Sequence, residues 1–205
     1  IKKELEDLPF EFVSLYQIKK NFKEPTEDYN TLEGNAIKKA KYYGKKFKLP
    51  VITDDTGLFI KSLGGWPGVC SSRIANSDKD RIKNVLQKLK NKKNRNASFC
   101  SVMVYFDYKN GTLFVSPGEV SGVIMKTVSL NKIAGFGYDP IFKDKSKNQV
   151  YSEMTTEEKT LVSHRGKSIT KLKYFLLKQC TFKQFLVPVS IIVKDRKMLM
   201  SKRRD

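Results

Sequence analysis

Cysteine is scarce in this chain and histidine scarcer, three and one among 205 residues. Cys70, Cys100 and Cys180 are odd in number and far apart, so they fit neither a disulfide framework nor a metal-ligand spacing. A reducing cytoplasm is the expected setting. No apolar run approaches the length of a membrane span. The opening "IKKELEDLPF" lacks the uninterrupted apolar stretch of a secretory signal, and no internal repeat is present. Acidic residues number 21 against 40 Lys and Arg, a formal charge of +19. Yet Arg is sparse within that total, and Lys is spread along the whole chain, as in "KKAKYYGKKFK" and "QKLKNKKNRN". Such a field attracts polyanions, a nucleoside triphosphate included. A basic nucleic-acid-binding module is the alternative that charge alone supports. Its mark, an aromatic sheet with interleaved Lys and Arg, is missing, so no stable nucleic-acid partner is expected.

What is present suffices for a sizeable core: 40% hydrophobic residues, 13 of the chain's residues being Phe. The length fits one large domain, or one domain and a fragment of another. Residues 1–8 read as the remnant of a helix and "FEFVSLY" as a strand. "TEDYNTLEGNAIKKAKYYGKKFK" opens with capping candidates and continues with helical spacing through Ala36, Ile37, Ala40 and Tyr43. "PVIT" reads as one strand and "GLFIKSL" as another, leading into a "GGWPG" loop. "DKDRIKNVLQKLKN" carries an apolar stripe at 82, 85, 86 and 89. "SFCSVMVYFDYKNGTLFVSPGEVSGVIM" holds two or three strands, with Asn110-Gly111 as a hairpin turn signal. A glycine-rich loop follows, then helices near "TTEEKTLV" and over about 164–180. The expectation is an α/β (α+β mixed) fold with a central mixed sheet flanked by helices.

Chemistry collects in four patches: "EPTED" with "EGNAIKKA", "TDDTGL", "FGYDPIF" and "EEKTLVSHRGKS". Each alone has a plain reading. Adjacent aspartates at a strand end serve either as turn and capping residues or as a cation site. A lone His164 is commonly structural, Phe136 and Tyr138 suit a core, and Lys159 and Arg165 suit a solvated helix surface.

Taken together and in this order, the patches closely resemble the inosine triphosphatase family of non-standard purine (dITP/XTP) nucleoside triphosphate pyrophosphatases, over about residues 1–180. "NAIKKA" resembles that family's Asn-Ala-x-x-Lys-Ala helix. "DDTGL…LGGWPGVCSSR" resembles its Asp-Asp-Ser-Gly-Leu and Gly-Gly-x-Pro-Gly-x-x-Ser-x-Arg signature, and "GFGYDPIF" and "SHRGKS" match the remaining motifs. The resemblance implies hydrolysis between the α and β phosphates, to a monophosphate and pyrophosphate. It implies Mg²⁺ held by Glu27 and Asp55, with Asp55 also the proton acceptor. A hard cation held by one or two carboxylates plus phosphate oxygens suits that chemistry. Thr56 stands where the family usually has Ser and keeps the hydroxyl beside the substrate. Phe136 would stack on the purine, Gly137, Tyr138 and Asp139 would surround the nucleotide, and Lys159, His164 and Arg165 would offer donors to the keto oxygens of hypoxanthine or xanthine. Adenine presents an amino group there and would leave those donors unpaired. Family members are typically homodimers, and the same is expected here.

Two departures remain. Family members open with a strand and a Ser/Thr-x-Asn-x-x-Lys phosphate loop, whereas this chain opens on Ile1, and the true start is expected upstream; without that loop the alternative is an inactive fragment. The end, "VPVSIIVKDRKMLMSKRRD", resembles the opening hairpin of a Nudix hydrolase domain, or is a plain C-terminal hairpin. The expected division is therefore a pyrophosphatase domain over 1–182 and a truncated start of a possible Nudix domain over 183–205.

Overall fold

The computed structural model describes residues 1, 3–18, 23–130 and 137–186, without the side chains of 16 and 180–186. They fall into two compact units, Pro25–Ser168 and Ile1–Glu24 with the chain from Ile169 onward. Phe136, and the hairpin expected within 187–205, lie outside the described residues.

In the larger unit, helix α2 (Leu32–Phe47) starts at Thr31, whose hydroxyl accepts from the Gly34 N–H at 3.0 Å and satisfies one of the orphan donors of the first turn. A single turn, α1 (Leu15–Ile18), precedes it in the smaller unit. After α2 come β1 (Val51–Ile60), β2 (Pro67–Gly68), α3 (Asp78–Lys88), β3 (Asn96–Phe106), β4 (Leu113–Ile124), β5 (Phe142–Asp144), α4 (Thr156–Val162) and α5 (His164–Leu186). The strands form one sheet in the order β2-β1-β3-β4-β5. Where the sequence leads one to expect a mixed sheet, every pairing among the described strands is antiparallel. Asn110-Gly111 does lie in the β3–β4 connection, with Gly111 at φ 74°.

Each face of the sheet has its own core. On one, Ala36 and Ala40 of α2 are fully buried with Val102, Val104 and Phe106 of β3. Small residues at helical spacing let the helix lie close to the strands. On the other, Leu58, Ile60, Phe99, Val120 and Ile124 meet Ile82 and Val85 of α3 together with Phe142, Tyr151 and Met154. Each such side chain contributes about 1.5–3 kcal/mol on leaving water, so the sheet is clamped from both sides.

Three further expectations are corrected. "PVIT" and "GLFIKSL" are not separate strands: β1 runs unbroken for ten residues. The paired aspartates therefore lie in mid-strand, Asp54 opposite Met103 and Asp55 opposite Val102 of the long strand β3. That neighbour pairs with β1 over its whole length, and ladder hydrogen bonds outweigh the poor strand propensity of Asp. "FEFVSLY" is not a strand either. Residues 11–14 carry no regular structure, Leu15 opens α1, and Phe10 and Val13 are exposed; alternating apolar residues without a sheet neighbour have nothing to pair with. The helix expected over 1–8 shortens to a 3₁₀ turn, Lys3–Leu5. In the same smaller unit Asp7 pairs with Lys173 at 2.7 Å, an exposed contact that stabilises by less than about 1 kcal/mol.

Candidate functional site

The "NAIKKA" segment builds the first half of the site. Asn35, 1% exposed, accepts from the Tyr29 N–H at 3.0 Å and donates to the Tyr29 carbonyl at 3.1 Å. It thereby pins to α2 the extended segment that carries Glu27. The Thr53 hydroxyl of β1 donates to the Ala36 carbonyl at 2.8 Å and fixes helix against strand. One turn on from Asn35, Lys39 reaches across to both. Its ammonium donates to Glu27 Oε1 at 2.9 Å, Asp55 Oδ1 at 2.8 Å and the Asp54 carbonyl at 3.1 Å. Arg73, from the turn after β2, donates to Glu27 Oε2 at 2.6 Å and to the Glu27 and Val69 carbonyls at 3.2 and 3.0 Å.

Burial raises the Asp55 carboxyl above its ordinary 3.8; the Lys39 ammonium opposes that, and the charges of Glu27 and Asp54 add to it. Burial alone would lower the Lys39 ammonium, but its hydrogen bonds to Asp55 and Glu27 win and raise it. Asp55 Oδ2 is buried and has no hydrogen-bond partner. Two carboxylates thus converge on one point, and one oxygen is left over for a proton or a cation. Among the described residues no group of three or more Asp, Glu, His or Cys is placed to hold a metal ion by itself. A dedicated all-protein cage is absent there, while one or two carboxylates completed by water and phosphate oxygens suit Mg²⁺. The donor set fits that ion.

Side chains alternate along a strand, so Asp54 faces the opposite side of the sheet from Asp55. There Arg165, in the first turn of α5, places Nε and Nη2 each 2.9 Å from Asp54 Oδ2, and the Thr56 hydroxyl lies 3.4 Å from both carboxylate oxygens. The turn is held by serines. The Ser101 and Ser168 hydroxyls lie 2.5 Å apart, and the Ser116 hydroxyl donates to the Ser168 carbonyl at 2.6 Å. A Cβ at Gly118 would come within 2.1 Å of the His164 carbonyl; only glycine permits this approach.

His164 lies flat on Phe99, centroids 4.7 Å apart and planes 14° from parallel. It is buried, with neither ring nitrogen hydrogen-bonded. Burial, with Arg165 and Lys159 nearby, lowers its pKa from 6.5 to about 3. The native ring therefore refuses a proton that the unfolded chain takes below about pH 6.5, so stability is full above that pH and falls as pH drops toward 3. His164→Phe keeps the stack and removes the titration. Urea midpoints at pH 7 and pH 5 are expected to move less for this variant than for the wild type; equal shifts would place the acid sensitivity elsewhere.

The third cluster joins "GYD" to α4. Thr155 and Glu158 form a capping box at the start of α4, which presents Lys159 to Asp139 in a close ion pair. The Tyr138 hydroxyl donates to the Ser71 carbonyl at 2.7 Å, with its ring in the core, and the Gly137 N–H donates to Asp78 Oδ2 at 2.9 Å. The structure thus brings Glu27 with Asp55, and Asp139 with Lys159. His164 and Arg165 share one helical turn, and Thr56 sits by the Asp54–Arg165 pair. Sequence reasoning assigned no role to Lys39 or Arg73, and weighed Asp54 only with Asp55, as a turn residue or part of a cation site. The signal for Lys39 was its place four residues after Asn35, one turn along the same helix face.

The Ham1 family model matches residues 1–175. A dITP/XTP pyrophosphatase of Flavobacterium psychrophilum is 41% identical over 151 residues, 71% of this chain and 76% of that protein. Its Flavobacterium johnsoniae counterpart, of the same description, is 37% identical over 154 residues, 74% and 78% of the two. The solved structure of the Staphylococcus aureus Ham1 protein superposes with a TM-score of 0.78 at 32% identity, covering 87% of this chain and 91% of that one.

Proposed function

The chain belongs to the Ham1 family, and from that membership, taken with the Glu27–Asp55 pair, we propose that it hydrolyses the non-standard purine nucleoside triphosphates ITP, dITP and XTP to the monophosphate and pyrophosphate. Such an activity clears deaminated purines from the nucleotide pool. The observation that carries the reading is Asp55 Oδ2, buried and unpartnered beside a second carboxylate. A carboxylate whose proton affinity burial has raised is suited to accept the proton of an attacking water. Glu27 and Asp55 would hold Mg²⁺, which when bound offsets phosphate charge.

Base selection falls to the opposite end. Arg165 and Lys159 supply cationic donors, and a neutral His164 supplies one N–H. Phe136 would stack on the purine, Gly137, Tyr138 and Asp139 would surround the nucleotide, and the Thr56 hydroxyl, next to the Asp54–Arg165 pair, would meet the nucleotide from that side. The same proposal includes a homodimer, as the family resemblance suggests, and a cytoplasmic setting, consistent with free thiols at Cys70 and Cys100. No helix among the described residues is long and apolar enough to cross a membrane.

The test is a substrate panel with product identification. ITP, dITP and XTP are expected to turn over at least about a hundredfold faster than ATP or GTP, because a pocket built of donors is left unpaired by the wrong base edge. Pyrophosphate should appear in equal amount to the monophosphate. Comparable turnover of ATP, or orthophosphate as the sole product, would sink the reading.

A further inference from the structure

We propose that Lys39 is the resident counter-cation of the Glu27–Asp55 pair, and that a divalent cation gains those carboxylates only by displacing its ammonium. The inference rests on the reading that these two residues hold the metal.

The geometry is one of exclusion. A single ammonium spans the two carboxylates, 2.9 Å from Glu27 Oε1 and 2.8 Å from Asp55 Oδ1, and its third contact is the Asp54 carbonyl at 3.1 Å. An ammonium has three protons and no acceptor, so all of its donors are spent holding this position. Mg²⁺ requires oxygens at about 2.0–2.1 Å in octahedral array. An ion bridging the same two oxygens would occupy the space of the Lys39 nitrogen and repel its charge. Both cannot sit there.

The charges agree. Glu27 and Asp55 bring two negative charges, Lys39 and Arg73 two positive ones. The cluster is neutral and sits in a chain of net charge +19, so a free dication gains little from approaching it. Arg73 holds the other Glu27 oxygen and two backbone carbonyls, so it anchors Glu27 and leaves the face toward Asp55 to Lys39. Once displaced, the Lys39 ammonium needs another anion, and a triphosphate chain provides one. Metal and nucleotide should therefore bind with positive cooperativity, each removing a cost from the other.

Titration calorimetry with Mg²⁺ alone, without nucleotide, tests the exchange. Lys39→Met, which keeps the length and loses the charge, is expected to bind the metal at least about tenfold more tightly than the wild type, the change that accompanies about 1.4 kcal/mol. The control Lys38→Met removes a neighbouring lysine that pairs outside the cluster, with Asp28 at 2.7 Å; it should change affinity less than about twofold, as expected of an exposed charge. Added Mg²⁺ should also raise the melting temperature of Lys39→Met more than that of the wild type, since tighter binding to the native state stabilises it further. In the wild type, the ¹³C signal of the Lys39 ε-carbon should move as Mg²⁺ saturates, a readout that needs no variant to fold. Metal affinity in Lys39→Met equal to or weaker than the wild type, or an unmoved ε-carbon signal at saturation, overturns the exchange. Glu27→Gln and Asp55→Asn keep the two ideas apart. If they bind metal as the wild type does, the metal reading itself is wrong. If they bind weakly while Lys39→Met shows no gain, only the exchange fails.

Discussion

Asp55→Asn is expected to lower turnover of ITP by at least about a thousandfold, within the range a positioned base contributes and with a metal ligand lost besides. The amide has the shape of the carboxylate, and its oxygen can still accept from Lys39, which also keeps Glu27 Oε1 and the Asp54 carbonyl. The fold should survive. Because burial raises the Asp55 carboxyl above 3.8, the native state binds that proton more tightly than the unfolded chain does. This group then contributes stability at acid pH, which is lost as pH rises through the window above 3.8. The variant, free of that penalty, should be no less stable than the wild type at neutral pH. An unchanged kcat with normal Mg²⁺ dependence would move the chemistry to another residue.

Arg165→Ala is expected to fall hardest on selectivity. The side chain is about two-thirds buried, with both Nε and Nη2 on Asp54 Oδ2. Its orientation is therefore set by the strand, and the first turn of α5 is fixed to β3 and β4 through Ser101, Ser116 and Ser168. Removing a charged donor from the proposed purine end should cost roughly 1.5–3 kcal/mol, about 10–150-fold in kcat/KM for ITP. ATP gains nothing from that donor, so the preference for ITP over ATP should shrink by a similar factor. Circular dichroism and a melting curve accompany the kinetics. A sharp fall in melting temperature with normal kinetics of the surviving enzyme would make Arg165 a structural partner of Asp54 and no more.

How far the sequence could be read follows from the range of the forces involved. Helix α2 and its Thr31 cap were legible because capping and helical spacing are local, as was the turn at Asn110-Gly111. The single strand β1 was not, since Asp54 and Asp55 look like a terminus until β3 is placed beside them. The apolar "FEFV" misled in the opposite sense, because alternation signals a strand only where a neighbouring strand exists. Within the site, Glu27 and Asp55 could be named from the pattern of motifs, and the structure brings them to one ammonium. Lys39 and Arg73 went unassigned, and Asp54 was not told apart from Asp55, because their roles depend on partners as many as 111 positions away, a distance no local window spans. Phe136, the proposed stacking residue, lies outside the described residues.

The unbroken strand has one further consequence. Asp54 and Asp55 differ in nothing but parity: the even residue serves the arginine on one side of the sheet, and the odd residue serves the lysine on the other. Nothing in their chemistry assigns these duties, since two carboxylates on one strand are interchangeable as molecules. Their division of labour is written in the pairing of β1 with β3, and a slip of one position would exchange them. It would give the place beside Lys39 to the residue that pairs with Arg165, and turn Leu58 and Ile60 out of their core at the same time. A single residue inserted or deleted between Val51 and Thr53 is thus an exchange of ionic partners as well as a change of packing.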